Sequence, residues 1–238
     1  STLDRSSAAS DVYKRQSTLY RMARSKAYLF AGVEIRWRCD PALLANDDPV
    51  PAEAVLHYPG GLSDYLNDAT ADTALLVSTP FADLVELDGQ KFEWAITWLG
   101  AGEDGFFHSY CNTVPTPSGG THEAGFRQAI TRALRSFGDL AGNRKAAEIT
   151  ADDVFAGTAV MLSVFLHDPQ FQGQTKDRLV SADATRQTEQ AARDRFEQWL
   201  AADAARANFL LDAAIERAEE RKRRKKEREV ARKSATRR

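Results

Sequence analysis

The sequence predicts an α+β protein, a mixed sheet covered by helices on one face. Three observations lead there. Short apolar or alternating runs, read as strands, are interleaved with longer segments of helical apolar spacing. Two of the strand runs, Phe81 to Leu87 and Phe92 to Leu99, meet at Asp88-Gly89, a two-residue hairpin signal. No glycine or proline occurs after Gly173, so a long helical C-terminal region follows naturally. Hairpin-linked strands among helices favour α+β over a regular β-α-β repeat.

The elements follow in order. Thr18 to Phe30 has helical apolar spacing and Gly32 closes it. Val33 to Cys39 alternates Val, Ile and Trp with Glu and Arg, a half-buried strand. Asp40 to Pro51 is a polar loop, and Ala54 to Tyr58 a short strand. Pro59-Gly60-Gly61 turns into a helix around Leu62 to Leu66. Phe106 to Asn112 is another strand. Thr121 to Leu140 is a helix whose core face is Phe126, Ile130, Leu134 and Phe137, with Arg127 and Arg135 off that stripe. Ala151 to Ala156 is a short helix, and Thr158 to Leu166 a buried strand of β-branched and aromatic residues. Ser181 N-caps a helix from Ala182 to Leu200 with Phe196, Trp199 and Leu200 on its apolar side. The helical pattern resumes at Ala204. From Arg217 it has almost no apolar face and needs a partner or continuing chain.

Composition excludes several classes. In 238 residues, 43% hydrophobic and 28% charged is ordinary for a globular chain. No apolar run is long enough to span a bilayer. Cys39 and Cys111 fall in predicted strands and are expected to be reduced, buried and inert. His57, His108, His122 and His167 show no metal-ligand spacing with them, so no metal site is expected. Net charge is −2, but residues 216–238 carry twelve Lys/Arg against five Glu. A basic end on an acidic body suggests an anionic partner; a solvated helix of alternating charge explains it equally well.

Gly100-Ala-Gly-Glu-Asp-Gly105 matches a dinucleotide pattern and is rejected as one. Such a loop must open a helix so that the helix N-terminus meets phosphate, and here a strand follows. Glu103 and Asp104 would also repel phosphate. A hairpin loop between antiparallel strands is expected instead. Walker A, G-x-S-x-G, H-E-x-x-H and kinase patterns do not occur. Nothing in the residues composes a complete catalytic site.

Two blocks remain. Asp168-Pro-Gln-Phe-Gln-Gly-Gln-Thr-Lys-Asp-Arg-Leu179 lies between the buried strand and the helix after Ser181. Its small and polar residues can present the Lys176 ammonium to a phosphate held elsewhere; read alone, Lys176 is a solvated surface lysine. Ser109 to Arg127 contains Pro-Ser-Gly-Gly-Thr-His-Glu-Ala-Gly-Phe-Arg. Its glycines permit a sharp strand-to-helix reversal, and Thr121 is the expected N-cap.

Both blocks, with Lys26-Ala-Tyr-Leu-Phe-Ala-Gly-Val-Glu-Ile-Arg-Trp37, resemble in order and spacing the type IIA DNA topoisomerase B subunits. The match runs from about Ser17 to the C-terminus. Val-Pro-Thr-Pro before the glycines and Asp-Pro-Gln-Phe-Gln-Gly after the strand look closer to the topoisomerase IV branch than to gyrase B. Residues 1–16 do not fit the family, resemble a translated adapter tail, and are set aside from fold reasoning.

The resemblance implies a ribosomal protein S5 domain 2-like transducer domain over residues 17–201. Residues 202–238 become a basic helical arm leading toward a TOPRIM domain outside this sequence. It implies that Gln174 and Lys176 contact the γ-phosphate of ATP, bound with Mg²⁺ mainly by a preceding ATPase domain. It implies that Arg127 faces a cavity through which DNA passes. The implied partners are DNA, a topoisomerase A subunit in an A2B2 assembly, and a second copy of the B chain when ATP is bound, in a bacterial cytoplasm. The expected function is coupling of ATP hydrolysis to strand passage, with decatenation and relaxation as the outcome and the fragment inactive alone. A gyrase B fragment that supercoils, and a non-enzymatic S5-like nucleic-acid-binding protein, stay open as alternatives.

Overall fold

The computed structural model describes residues 2–44 and 49–236, with side chains for 14–44 and 49–235. Ser1, residues 45–48 of the predicted loop and the last two residues of the basic arm therefore lie outside the described residues. The chain divides into two compact units, Ser1–Asp72 and Thr73–Arg238. No division was expected there from the sequence.

The first unit opens with helix α1, Thr2–Leu29, which runs back through the residues set aside as a tail. Gly32, at φ +89°, turns the chain into β1 (Glu34–Arg38). This strand pairs antiparallel with β2 (Glu53–His57), and α2 spans Leu62–Ala69. Ile35 and Trp37 are half-buried and alternate with exposed neighbours, as the sequence pattern requires. An aromatic cluster of Tyr28, Tyr58 and Tyr65 holds the unit together, and Arg24 stacks 4.8 Å over the Tyr65 ring while donating to the Tyr58 hydroxyl at 3.1 Å. Cys39 corrects an expectation: it follows β1 rather than lying within it, and it is only half-buried.

The second unit is built on a five-stranded sheet in the order β3-β4-β7-β5-β6. These strands are Phe81–Leu87, Gln90–Trp98, Thr158–Phe165, Phe106–Cys111 and Val114–Pro115. Asp88 and Gly89 both take positive φ (51° and 75°), the backbone a tight β3–β4 hairpin demands. β7 pairs antiparallel with β4 and parallel with β5, so the sheet is mixed. The predicted hairpin between β4 and β5 does not form. The eight-residue apolar strand β7 inserts between them and is buried along nearly its whole length. A later strand taking the central position is invisible to local pattern, because local pattern reads only neighbours in sequence. Gly105 marks the crossing: a Cβ there would sit 2.3 Å from the Thr158 carbonyl.

Helices α3 (Thr121–Leu140) and α5 (Ala182–Ala202) pack on each other and against one face of the sheet. α3 has the predicted bounds, and Phe126, Ile130 and Leu134 are buried in the core with Phe137 partly so. Gly125 sits where a Cβ would meet the Thr185 carbonyl at 2.2 Å, which lets the two helices approach closely. The short helix α4 (Ala151–Phe155) carries a capping box between Thr150 and Asp153. The chain breaks at Asp203, whose carboxylate accepts from the Arg206 amide at 3.0 Å, and continues as α6, Ala204–Thr236.

The first half of α6 belongs to the core rather than to an arm. Ala207, Leu210, Leu211, Ala214, Ile215 and Ala218 are all buried in it. Arg221 then forks onto buried Asp153 at 2.9 and 3.1 Å, and Arg217 donates to the Asp153 carbonyl. Lys222 pairs with Glu148, and Lys145 with Glu219. Beyond these ties the helix is exposed, with Glu220 and Arg224 paired along it.

Candidate functional site

The two sequence blocks meet in space. Phe171–Gln172 (β8) and Arg178–Leu179 (β9) form a small antiparallel hairpin that the sequence did not announce. Two-residue strands carry no readable period. Gln174, Thr175 and Lys176 are exposed at its tip. Lys176 takes a left-handed φ of 58°, and its ammonium lies 5.7 Å from the Phe171 ring centre. Thr175 donates to the Asp177 carboxylate at 2.7 Å, bracing the turn.

The hairpin base is stitched to the glycine turn. Ser118 N–H donates to the Asp177 carbonyl at 2.9 Å, Leu179 N–H to the Gly119 carbonyl at 3.1 Å, and Arg178 to the Ser118 carbonyl at 3.0 Å. Gly119 and Gly120 take φ of 70° and 141°, and a Cβ on Gly120 would meet the Leu179 carbonyl at 2.3 Å. Only glycine fits there. Thr121 is not the N-cap. Gly120 holds that position, and the Thr121 hydroxyl is buried without a partner among the described residues. Ser181 does hold its predicted N-cap position, but its hydroxyl accepts from the Gln170 amide at 2.8 Å and so braces the hairpin segment.

Beside this junction lies an open depression of about 520 Å³, lined by Glu123, Arg127, Arg132, Arg135 and Arg178 among others. Arg127 pairs with Asp152 at 2.6 Å and stacks 4.8 Å over the Phe155 ring. Arg132 pairs with Glu189, and Arg135 donates to the Ile149 carbonyl at 2.9 Å. Of these arginines only Arg127 was expected from the sequence to face DNA. Arg135 was read beside Arg127, off the apolar stripe, whereas Arg132 and Arg178 were not singled out.

Glu123 connects the depression to the interior. Its carboxylate accepts from the Ser109 hydroxyl at 2.7 Å; Ser109 meets the Thr116 hydroxyl at 2.7 Å, and that meets His122 Nε2 at 3.0 Å. Burial raises the Glu123 carboxyl from its ordinary value, opposed by the Ser109 hydrogen bond and by the charges of Arg127 and Arg178. Burial pushes the His122 imidazole down to about 4. With a folded-state pKa below the ordinary 6.5, protons favour the unfolded chain. His122 therefore costs stability as pH falls from 6.5 toward 4, up to about 3 kcal/mol. Urea unfolding at pH 7 and 4.5 is expected to show this loss in the wild type. A His122→Gln variant should lack that part of it, the opposing contribution of Glu123 being common to both.

The DNA gyrase B family model matches residues 61–230, which contain both blocks. The chain belongs to the DNA gyrase B family. It is 50% identical over 228 residues to the B subunit of DNA topoisomerase 4 from Caulobacter vibrioides, covering 94% of this chain and 32% of that protein. It is 34% identical to the Salmonella typhimurium protein of the same name, covering 92% and 34%. The chain thus spans about a third of these relatives. The 43K ATPase domain of Thermus thermophilus gyrase B, solved with an aminocoumarin, superposes with a TM-score of 0.73 at 26% identity, over 90% of this chain and 56% of that one. The topoisomerase IV ATP-binding domain of Francisella tularensis, solved with a small-molecule inhibitor, superposes at 0.69 and 25%, over 86% and 53%. In this gyrase B family chain no described helix is long and apolar enough to cross a membrane. No group of three or more metal-ligating side chains is found among the described residues.

Proposed function

We propose that this chain is the transducer part of a topoisomerase IV-type B subunit, coupling ATP hydrolysis in a preceding domain to DNA strand passage. The transducer, placed over residues 17–201 by the resemblance, extends through the buried first half of α6 to Ala218, and the exposed end of α6 is the basic arm toward a TOPRIM domain. One observation carries this reading: the hairpin that exposes Gln174 and Lys176 is locked at its base to the turn where the arginine-lined depression begins. A nucleotide contact and a DNA contact thereby share one hydrogen-bonded junction.

At the tip, Lys176 supplies positive charge and Gln174 a neutral donor to the terminal phosphate of ATP. Mg²⁺ and the rest of the nucleotide are held by the ATPase domain. The lysine offsets charge developing on the transferring phosphoryl group. The contact lasts only while ATP is intact, so hydrolysis frees the transducer to move as a body. The working assembly is two B subunits closing on ATP with two A subunits, on DNA in the bacterial cytoplasm.

Arg127 meets DNA phosphate as a fixed cation. Its present partner, Asp152, has a side chain 89% exposed. Such a surface pair is worth no more than about 1 kcal/mol, so phosphate displaces it readily. In the full-length enzyme with its A subunit, Arg127→Gln should weaken DNA-stimulated ATP turnover more than DNA binding. Removing one arginine–phosphate interaction should reduce the salt slope by about 0.9. Stimulation equal to wild type at every salt concentration would return Arg127 to its surface ion pair.

A further inference from the structure

We propose that Arg178 is the positioning residue that transmits anion occupancy of the arginine-lined depression to the Lys176 hairpin, with the Ser118 carbonyl setting its resting place. The inference rests on the nucleotide and DNA roles proposed above, and adds the physical link between them.

Arg178 belongs to both places at once. Its backbone is in β9, the second strand of the hairpin, two residues beyond Lys176. Its side chain is exposed and lines the depression together with Arg127. Its guanidinium spends one donor on the Ser118 carbonyl at 3.0 Å. A guanidinium carries five donors in a fixed fork, so the remainder are available to a phosphate. Any displacement of Arg178 toward an anion acts directly on the strand that ends the lysine turn. The α3 arginines lie in a packed helix and reach the hairpin only through the Gly119-Gly120 turn.

Without an anion, Arg178 rests on the Ser118 carbonyl and Arg127 on Asp152. Glu123 lines the same depression, and its charge acts on both arginines from a distance. The Ser109 hydroxyl fixes its carboxylate at 2.7 Å. A phosphate entering the depression draws both arginines from these partners, against the repulsion of the Glu123 carboxylate. The two states are thus Arg178 on the Ser118 carbonyl and Arg178 turned to phosphate, and the setting of the lysine turn differs between them. Such coupling commonly amounts to a factor of about 5 to 150 in the linked process.

The test uses the full-length B subunit with its A subunit, measuring ATP turnover with and without duplex DNA. The readout is the ratio of stimulated to basal turnover. Arg178→Ala is expected to lower that ratio about five-fold or more, and Arg178→Lys, which keeps the charge but not the fork, to restore part of it. Glu123→Gln, which removes the carboxylate that repels an entering phosphate, is expected to bring stimulation at lower DNA concentration. A wild-type ratio in Arg178→Ala, alongside lost turnover in a Lys176→Ala control, overturns the link while leaving the nucleotide role standing. Equal loss of basal and stimulated turnover in Arg178→Ala also overturns it, since that marks a purely structural residue. Unchanged turnover in the Lys176→Ala control removes both the link and the reading beneath it.

Discussion

Replacing Lys176 by alanine in the full-length protein lowers ATP turnover on the order of 10²-fold or more, while nucleotide binding largely persists. The size follows from where the ammonium acts. A charge placed against the transferring phosphoryl group stabilises the transition state more than the bound substrate, so its loss falls on turnover. On the proposed reading, adenine and ribose contacts belong to another domain and are untouched. The substitution should also leave the fold intact. Lys176 is exposed at a hairpin tip, and the hairpin is held at its base by backbone bonds from Ser118 and Leu179. Steady-state turnover and equilibrium nucleotide binding, measured on the same preparation, separate the two effects. Turnover matching wild type would reduce Lys176 to a solvated lysine.

The second large effect concerns stability. Phe126 is fully buried, with ring contacts to Trp94, Phe107 and Phe155 at 6.0, 6.3 and 6.1 Å. It pins α3 to the sheet one residue before Arg127. Phe126→Ala removes that aromatic packing and leaves a cavity between helix and sheet. The expected cost is about 3–5 kcal/mol, or a Tm lower by roughly 10 °C. Leu140→Ala, on the same helix but 89% exposed, should stay within about 0.5 kcal/mol of wild type. Urea unfolding of the three proteins checks both values. A small loss at Phe126 would mean that α3 is not seated on the sheet as described.

The contrast between α3 and the hairpin shows which kinds of structure can be read from a sequence. Helix α3 was legible to the residue, since two glycines stop the preceding chain and a four-membered apolar stripe keeps the helical period. The β3–β4 hairpin was equally plain, because Asp88-Gly89 is itself the turn chemistry. What escaped was set by distant partners. β7 takes the centre of the sheet because its apolar residues gain most from burial there, and nothing between Trp98 and Phe106 records that choice. Gly120 displaces Thr121 from the cap because the Leu179 carbonyl leaves no room for a side chain. That constraint comes from a strand some sixty residues away.

The candidate site divides along the same line. Gln174, Lys176 and Arg127 were named through family resemblance, because their residue types alone look like ordinary surface. The structure supplies their relation. The Gly119-Gly120 turn joins the hairpin to the start of α3, which no spacing rule expresses. Arg178 went unnoticed for the same reason, as did Ser109 beneath Glu123. The polar chain from Glu123 to His122 draws on β5, the loop after β6 and the first turn of α3, so only the fold assembles it.

The central claim is that the hairpin tip reaches a nucleotide bound by another domain. A structure of the full-length B-chain dimer with a non-hydrolysable ATP analogue and Mg²⁺ tests it most directly. The Lys176 ammonium is predicted to lie at about 2.7–3.2 Å from a γ-phosphate oxygen, with the Gln174 amide beside it. A nucleotide-filled dimer in which the hairpin tip stands in solvent, away from the γ-phosphate, would contradict it.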